Sequence, residues 1–163
     1  MSEEHPDLSA YMPEGWKGIL PPCQIQVTTE GELMHNGLPI VHPEIRSEIF
    51  SSIHLEEGHY ILRIGGQACE VEVADTFFVV RGVEAHQGRL RVTLNDGSQE
   101  NIDPAALWLG EGDMLYCRVK NGAFPARFAR PAYYQLARWV EEGEDGFVLV
   151  LEGRRYPLVR NRG

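Results

Sequence analysis

Residues 33–73 and 115–159 run through the same series of local signals, and this repetition constrains the fold more than any single motif. Each stretch opens with a short strand-like run ending in Asn-Gly (Asn36-Gly37, Asn121-Gly122), a pair that suits tight hairpins because both positions tolerate positive φ. A second short apolar run leads to a proline (Pro43, Pro131), which fits the first turn of a helix. A glutamate pair follows (Glu56-Glu57, Glu141-Glu142), then a hairpin turning at Gly66 or Gly153. The offset is 85 at Asn-Gly, 88 at the proline and 87 through the helix and hairpin, so the copies differ by loop insertions, which chain entropy tolerates. Identities are few. The order of elements carries the reading of two structurally similar repeats, and the junction of paired units is a favoured place for a ligand.

Between these landmarks the hydrophobic period is mostly two. Residues 23–27, 60–64, 69–73, 89–94 and 98–102 read as strands, and 76–80 is a continuous apolar run that suits a buried central strand. Ile45, Ile49 and Ile53 at four-residue spacing predict one helical stripe after Pro43. Tyr133, Leu136, Ala137 and Val140 predict a second, within a helix over 131–142. Leu107, Trp108 and Leu109 are expected to plug a core edge. The result is an α+β fold of mostly antiparallel strands with two helices, because the helices do not alternate with single strands. Residues 1–20 lack periodicity and predict an N-terminal arm docked by Tyr11 and Trp16. The body divides into a first α+β repeat over 21–74 and a second, β-rich repeat with one helix over 75–160.

Net charge is −9, which weighs against broad nucleic-acid affinity. Its distribution is uneven. Residues 1–113 hold six Lys and Arg against nineteen acids, a net −13, whereas residues 114–163 hold nine against five, a net +4. From Met114 to Val140 there is no acid, and thirteen of the fifteen basic residues are Arg, the better residue for bidentate carboxylate or phosphate recognition. Cys23, Cys69 and Cys117 are odd in number, widely spaced and not arranged as metal ligands, so they read as reduced structural thiols of a cytoplasmic protein. The acidic opening Met1-Ser2-Glu3-Glu4 predicts no leader, and no apolar run reaches the roughly 20 residues of a membrane helix.

The acid-free basic stretch is the leading candidate for a ligand site. Arg130 precedes Pro131 at a helix start, where free backbone N–H groups favour anions. Arg127 lies three residues earlier, and Arg118 and Lys120 alternate on one strand face. Tyr116, Tyr133 and Tyr134 offer stacking surfaces. Together they fit a phosphate or carboxylate; the competing use of the arginines is pairing with the acidic first part of the chain. Asp75 has the chemistry of a general base, although a lone Asp before an apolar run equally suits a turn or cap. His35, His42, His54 and His59 lack the spacing of a metal site, so no metal is expected. Ser51-Ser52 lacks a glycine-flanked elbow, and the glycines match neither a P-loop nor a dinucleotide fingerprint, so no catalytic residue and no cofactor is assigned.

Four stretches carry a family resemblance: Gly37-Leu38-Pro39-Ile40 with the helix ending in Phe50; Val73-Ala74-Asp75-Thr76-Phe77-Phe78; Tyr116-Cys117-Arg118-Val119-Lys120-Asn121-Gly122; and residues 126–136, from Ala126-Arg127-Phe128 to Gln135-Leu136. In this order they make the chain, from about Pro22 to Leu158, resemble the bacterial domain-of-unknown-function family 1285. The resemblance implies a duplicated α+β core whose second half is a pleckstrin-homology-like barrel. It also implies a ligand site between the halves and a signalling role. The chain departs from the family pattern at His42, where an Arg is usual, and at Ala74 and Phe77, in place of Glu and Pro.

The expected function is therefore a non-enzymatic ligand-binding or regulatory protein, with an anionic small molecule or acidic protein segment held between the repeats. Its expected ligand residues are Arg118, Lys120, Arg127, Arg130, Tyr116, Tyr133 and Tyr134, joined by Asp75 and His42. The alternatives are a small hydrolase using Asp75 and a histidine, and a nucleic-acid binder using residues 118–138.

Overall fold

The computed structural model describes residues 21–160, and the expected arm over 1–20 lies outside them. The chain separates into two compact units that divide between Phe77 and Phe78.

The first unit runs β1 (Pro22–Val27), β2 (Leu33–His35), β3 (Leu38–Pro39), α1 (Pro43–Ser51), β4 (Ile53–Glu56), β5 (His59–Ile64) and β6 (Gln67–Val73). These strands form one six-stranded sheet in the order β3-β2-β1-β6-β5-β4. β1 is the seam: antiparallel to β2 on one side and parallel to β6 on the other, it joins the hairpin to the meander. Its alternation puts Cys23, Ile25 and Val27 in the core. At the first hairpin Asn36 and Gly37 have φ of 51° and 77°, as a tight Asn-Gly turn requires. α1 starts where Pro43 predicted, and the His42 ring Nδ1 accepts the Ile45 N–H at 3.4 Å as its cap. Its buried Phe50 meets Phe77 edge to face at 5.5 Å, while Tyr60 stacks on the other side of the cluster at 6.0 Å from Phe77. The predicted stripe ends one turn early. The Ser51 hydroxyl donates back to the Ser47 and Glu48 carbonyls, and Ile53 opens β4 opposite Leu62.

The second unit contains β7 (Phe78–His86), β8 (Arg89–Leu94), β9 (Gln99–Ile102), β10 (Trp108–Leu109), β11 (Leu115–Val119), β12 (Phe124–Phe128), α2 (Arg130–Ala137), β13 (Val140–Gly143), β14 (Gly146–Leu151), β15 (Arg154–Pro157) and β16 (Val159–Arg160). A seven-stranded sheet has the order β16-β10-β11-β12-β7-β8-β9, and β13-β14-β15 form a separate meander. Neither sheet closes, so open sheets stand where the resemblance implied a barrel. The order hairpin, helix, three-stranded meander is common to both units. Their sheets differ: only the first unit has a strand like β1 that merges hairpin and meander into one sheet.

β7 is longer than the apolar run that announced it, and its extra length sets the layout. β12 pairs in parallel with residues 78–80 only, so β7 projects past its neighbour. Gln135 of α2 fills the gap, its side-chain oxygen accepting the Val83 N–H at 2.9 Å. On the β8 side the register shifts between Val80 and Gly82. Just past the end of β8, the buried Asn95 accepts the Val79 N–H at 2.9 Å and returns its own N–H to the Val79 carbonyl at 3.0 Å. A buried backbone donor left unmet would cost about 1–3 kcal/mol, which explains a polar side chain in this core. α2 is shorter than the helix expected over 131–142: it ends at Ala137, and Val140 to Gly143 pair with β14 instead. Strand pairing outweighs the weak helical preference of Trp139 and Val140.

The cysteine expectation is corrected. Cys23 and Cys69 form a disulfide across the β1–β6 seam, and Cys117 remains a buried thiol. The cysteines therefore give no support to a reducing compartment. No helix among the described residues is long and apolar enough to cross a membrane. With 46 residues of separation, the disulfide restricts the unfolded chain substantially, and Cys23→Ala/Cys69→Ala is expected to cost about 2–4 kcal/mol. Denaturant unfolding with and without dithiothreitol checks this: reduction should lower the parent to the level of the double variant and leave the variant unchanged.

Candidate functional site

The predicted basic stretch lies on the β11–β12 hairpin and the start of α2. Strand alternation sends Leu115, Cys117 and Val119 into the core and leaves Tyr116 and Arg118 on the opposite face. Tyr116 pairs with Arg127 and Arg118 with Pro125, so the two arginines share that face of the hairpin.

Tyr116 is not a free stacking platform. Its ring lies against the buried Trp108 at 5.6 Å between centroids and 13° from parallel. The other wall is Gly110, where an added Cβ would fall 2.5 Å from the Tyr116 ring. The Arg118 guanidinium lies over the Trp108 ring at 6.0 Å, and its NH1 donates to the Gly122 carbonyl at 3.4 Å. Arg118 thus stays exposed while aromatic contact holds its stem.

Lys120 has a different role from the one expected. It has φ of 57° in the turn beyond β11, and its ammonium donates to Asp96 at 2.7 Å and to the Ser98 hydroxyl at 3.0 Å. Its backbone N–H donates to the Glu100 carboxylate at 3.1 and 3.2 Å. Burial pushes the Asp96 carboxyl up, but hydrogen bonds from Lys120 and Ser98 outweigh it and hold the group below the ordinary carboxylate value. Lys120 therefore fastens the β11 turn to the β8–β9 turn. The ion pairs Arg63–Glu56 and His59–Glu70 lie within the first unit; Lys120–Asp96, Arg155–Glu141 and Arg160–Asp113 lie within the second. Hydrogen bonding and charge from Glu70 raise the His59 value.

The remaining candidates lie on other elements. Arg127 is half-buried and Arg130 exposed at the first position of α2, whose cap residue Ala129 makes no side-chain cap bond. Tyr134 is 64% exposed and meets Tyr133 edge to face at 6.0 Å. Asp75 is half-buried in the bend between β6 and β7, and His42 caps α1. Burial pushes the Cys117 thiol far above its ordinary range, which makes it a poor nucleophile. Among the described residues, no three His, Cys, Asp or Glu side chains converge as a metal site.

Of the expected set, Arg118 and Lys120 line one open pocket of about 460 Å³ between β9 and the β11 turn. Glu100, Asn101, Asp103 and Asn121 complete its polar wall. Tyr116, Arg127, Arg130 and Tyr134 are not among its lining residues. Sequence reasoning missed Glu100 and Asp103; it placed Trp108 in the core, where it lies, but not against Arg118. Only the alternation that puts Arg118 beside Tyr116 hinted at the aromatic contact.

The fold has solved counterparts. A DUF1285 family protein from Silicibacter pomeroyi superposes with a TM-score of 0.67 at 23% identity, over 92% of this chain and 91% of that one. A DUF1285 family protein from Shewanella baltica gives 0.58 at 19% identity, over 71% of this chain and 91% of that one. The chain resembles the DUF1285 proteins in fold. No protein-family model and no curated protein matches it.

Two outcomes test this geometry. Gly110→Ala forces the Tyr116 ring off Trp108 and should cost about 1–3 kcal/mol, the usual penalty of overpacking, read by thermal unfolding. Asp96→Asn should cost roughly 1–2 kcal/mol at pH 7, the low end for charge-assisted hydrogen bonds because Lys120 is part exposed. Because the folded carboxyl sits low, that contribution is present above the unfolded value of about 3.9 and is lost as pH falls through the folded value. Unfolding curves of parent and variant should therefore converge in acid.

Proposed function

We propose that the chain is a non-enzymatic ligand-binding protein with a regulatory role, and that its second unit receives a small anionic ligand at Arg118. The observation that carries this reading is the shared pocket of Arg118 and Lys120. Lys120 is held by Asp96 and contributes its charge, whereas Arg118 offers an exposed guanidinium steadied by Trp108. Glu100, Asp103 and two asparagines on the same wall suit a ligand whose carboxylate or phosphate is accompanied by hydroxyl or amino groups. Binding without turnover is supported by what the reactive side chains are doing. Ser51 donates to helix carbonyls, His42 caps a helix, and Cys117 is buried with its thiol value raised.

A thermal-shift panel of hydroxy acids, amino acids and sugar phosphates tests the reading. At least one class should stabilise the parent saturably, and Arg118→Ala should weaken it about tenfold or more, the worth of a lost charge-assisted hydrogen bond. If Arg118→Ala responds like the parent, the site is wrong.

A further inference from the structure

A second cavity in the same unit has the opposite character. It holds about 260 Å³ and is walled by three stretches of the chain. β10 and β11 contribute Leu109 and Leu115, α2 contributes Leu136 and Ala137, and the meander and the residues after it contribute Phe147 and Leu158. Tyr133, assigned above to an anion, faces this apolar space instead. β16 pairs with β10, and Arg160 forms an ion pair with Asp113 of the lining. The polar residues in the lining are Tyr133, Asp113 and Glu142, so both charged ones are acidic.

Size and charge together define the ligand. A dry cavity of about 150 Å³ lined by aliphatic and aromatic residues suffices for benzene, so this one has room for a ring and a short chain. Asp113 is engaged by Arg160, which leaves the exposed Glu142 as the acid for a ligand's basic group. We propose that this groove binds a compact apolar or aromatic molecule carrying one amine, an arylalkylamine in chemical class. The site is separate from the Arg118 pocket: the two share no lining residue, and either can fail alone.

The probes are 2-phenylethylamine, 2-phenylethanol and phenylacetate, which share a ring and differ in charge. With the parent protein, methyl NMR should show saturable shifts at Leu109, Leu136 and Leu158 with the amine, weaker ones with the alcohol, and the weakest with the acid. Ala137 is exposed at the groove's rim, so Ala137→Phe should fill the space and abolish the shifts. Glu142→Gln should weaken the amine roughly two- to fivefold, the worth of an exposed charge, and leave the alcohol unchanged. The proposal is overturned if phenylacetate binds as well as the amine, if Ala137→Phe responds like the parent, or if no probe moves these methyl signals.

Discussion

The second unit depends on how β7 satisfies its backbone. It is the longest strand and lies between β12 and β8, but neither neighbour matches it in register along its length. Two side chains from elsewhere meet the deficit: Asn95 past the end of β8, and Gln135 past the end of β12. Backbone groups in a core must be paired, so the Gln135 contact ties α2 to β7. α2 then forms one wall of the apolar groove, and β12 brings with it β11, which carries Arg118. The placement of both pockets is thus tied to hydrogen bonding at β7.

Several of the charges are resolved locally. The contrast of −13 and +4 along the chain invites long-range pairing, yet Lys120, Arg155 and Arg160 each meet an acid of their own unit. Asp96 stands directly after a buried Asn and within a tight turn, so it is fixed in place before Lys120 reaches it. A preorganised carboxylate binds an ammonium at less entropic cost than a mobile one. Elsewhere in the same unit Arg118 lies over its tryptophan, and an apolar hollow has Asp113 and Glu142 in its lining.

Features that depend on near neighbours were legible in the sequence. Asn36-Gly37 turns where it should, Pro43 opens α1, and the alternation of β11 correctly sorts Cys117 from Arg118. Helix ends were less legible, since Ile53 and Val140 fit a helical stripe and a strand equally and partner strands decided between them. The site was legible in part. Arg118 and Lys120 do line one pocket, but Tyr116 was read as a platform because nothing in its own segment shows that Trp108 and Gly110 enclose it.

The sequence by itself determined the order of elements, the two helices, the α+β class and the faces of most strands, because turns, caps and periodicity act within a few residues. Tertiary structure alone decided which strands became neighbours. That choice brought Cys23 beside Cys69, kept the sheets open, put Tyr133 in the lining of an apolar cavity and set Asp96 against Lys120. Each of these rests on contact between residues distant in sequence, where local propensity is silent and burial and hydrogen-bond pairing select the arrangement.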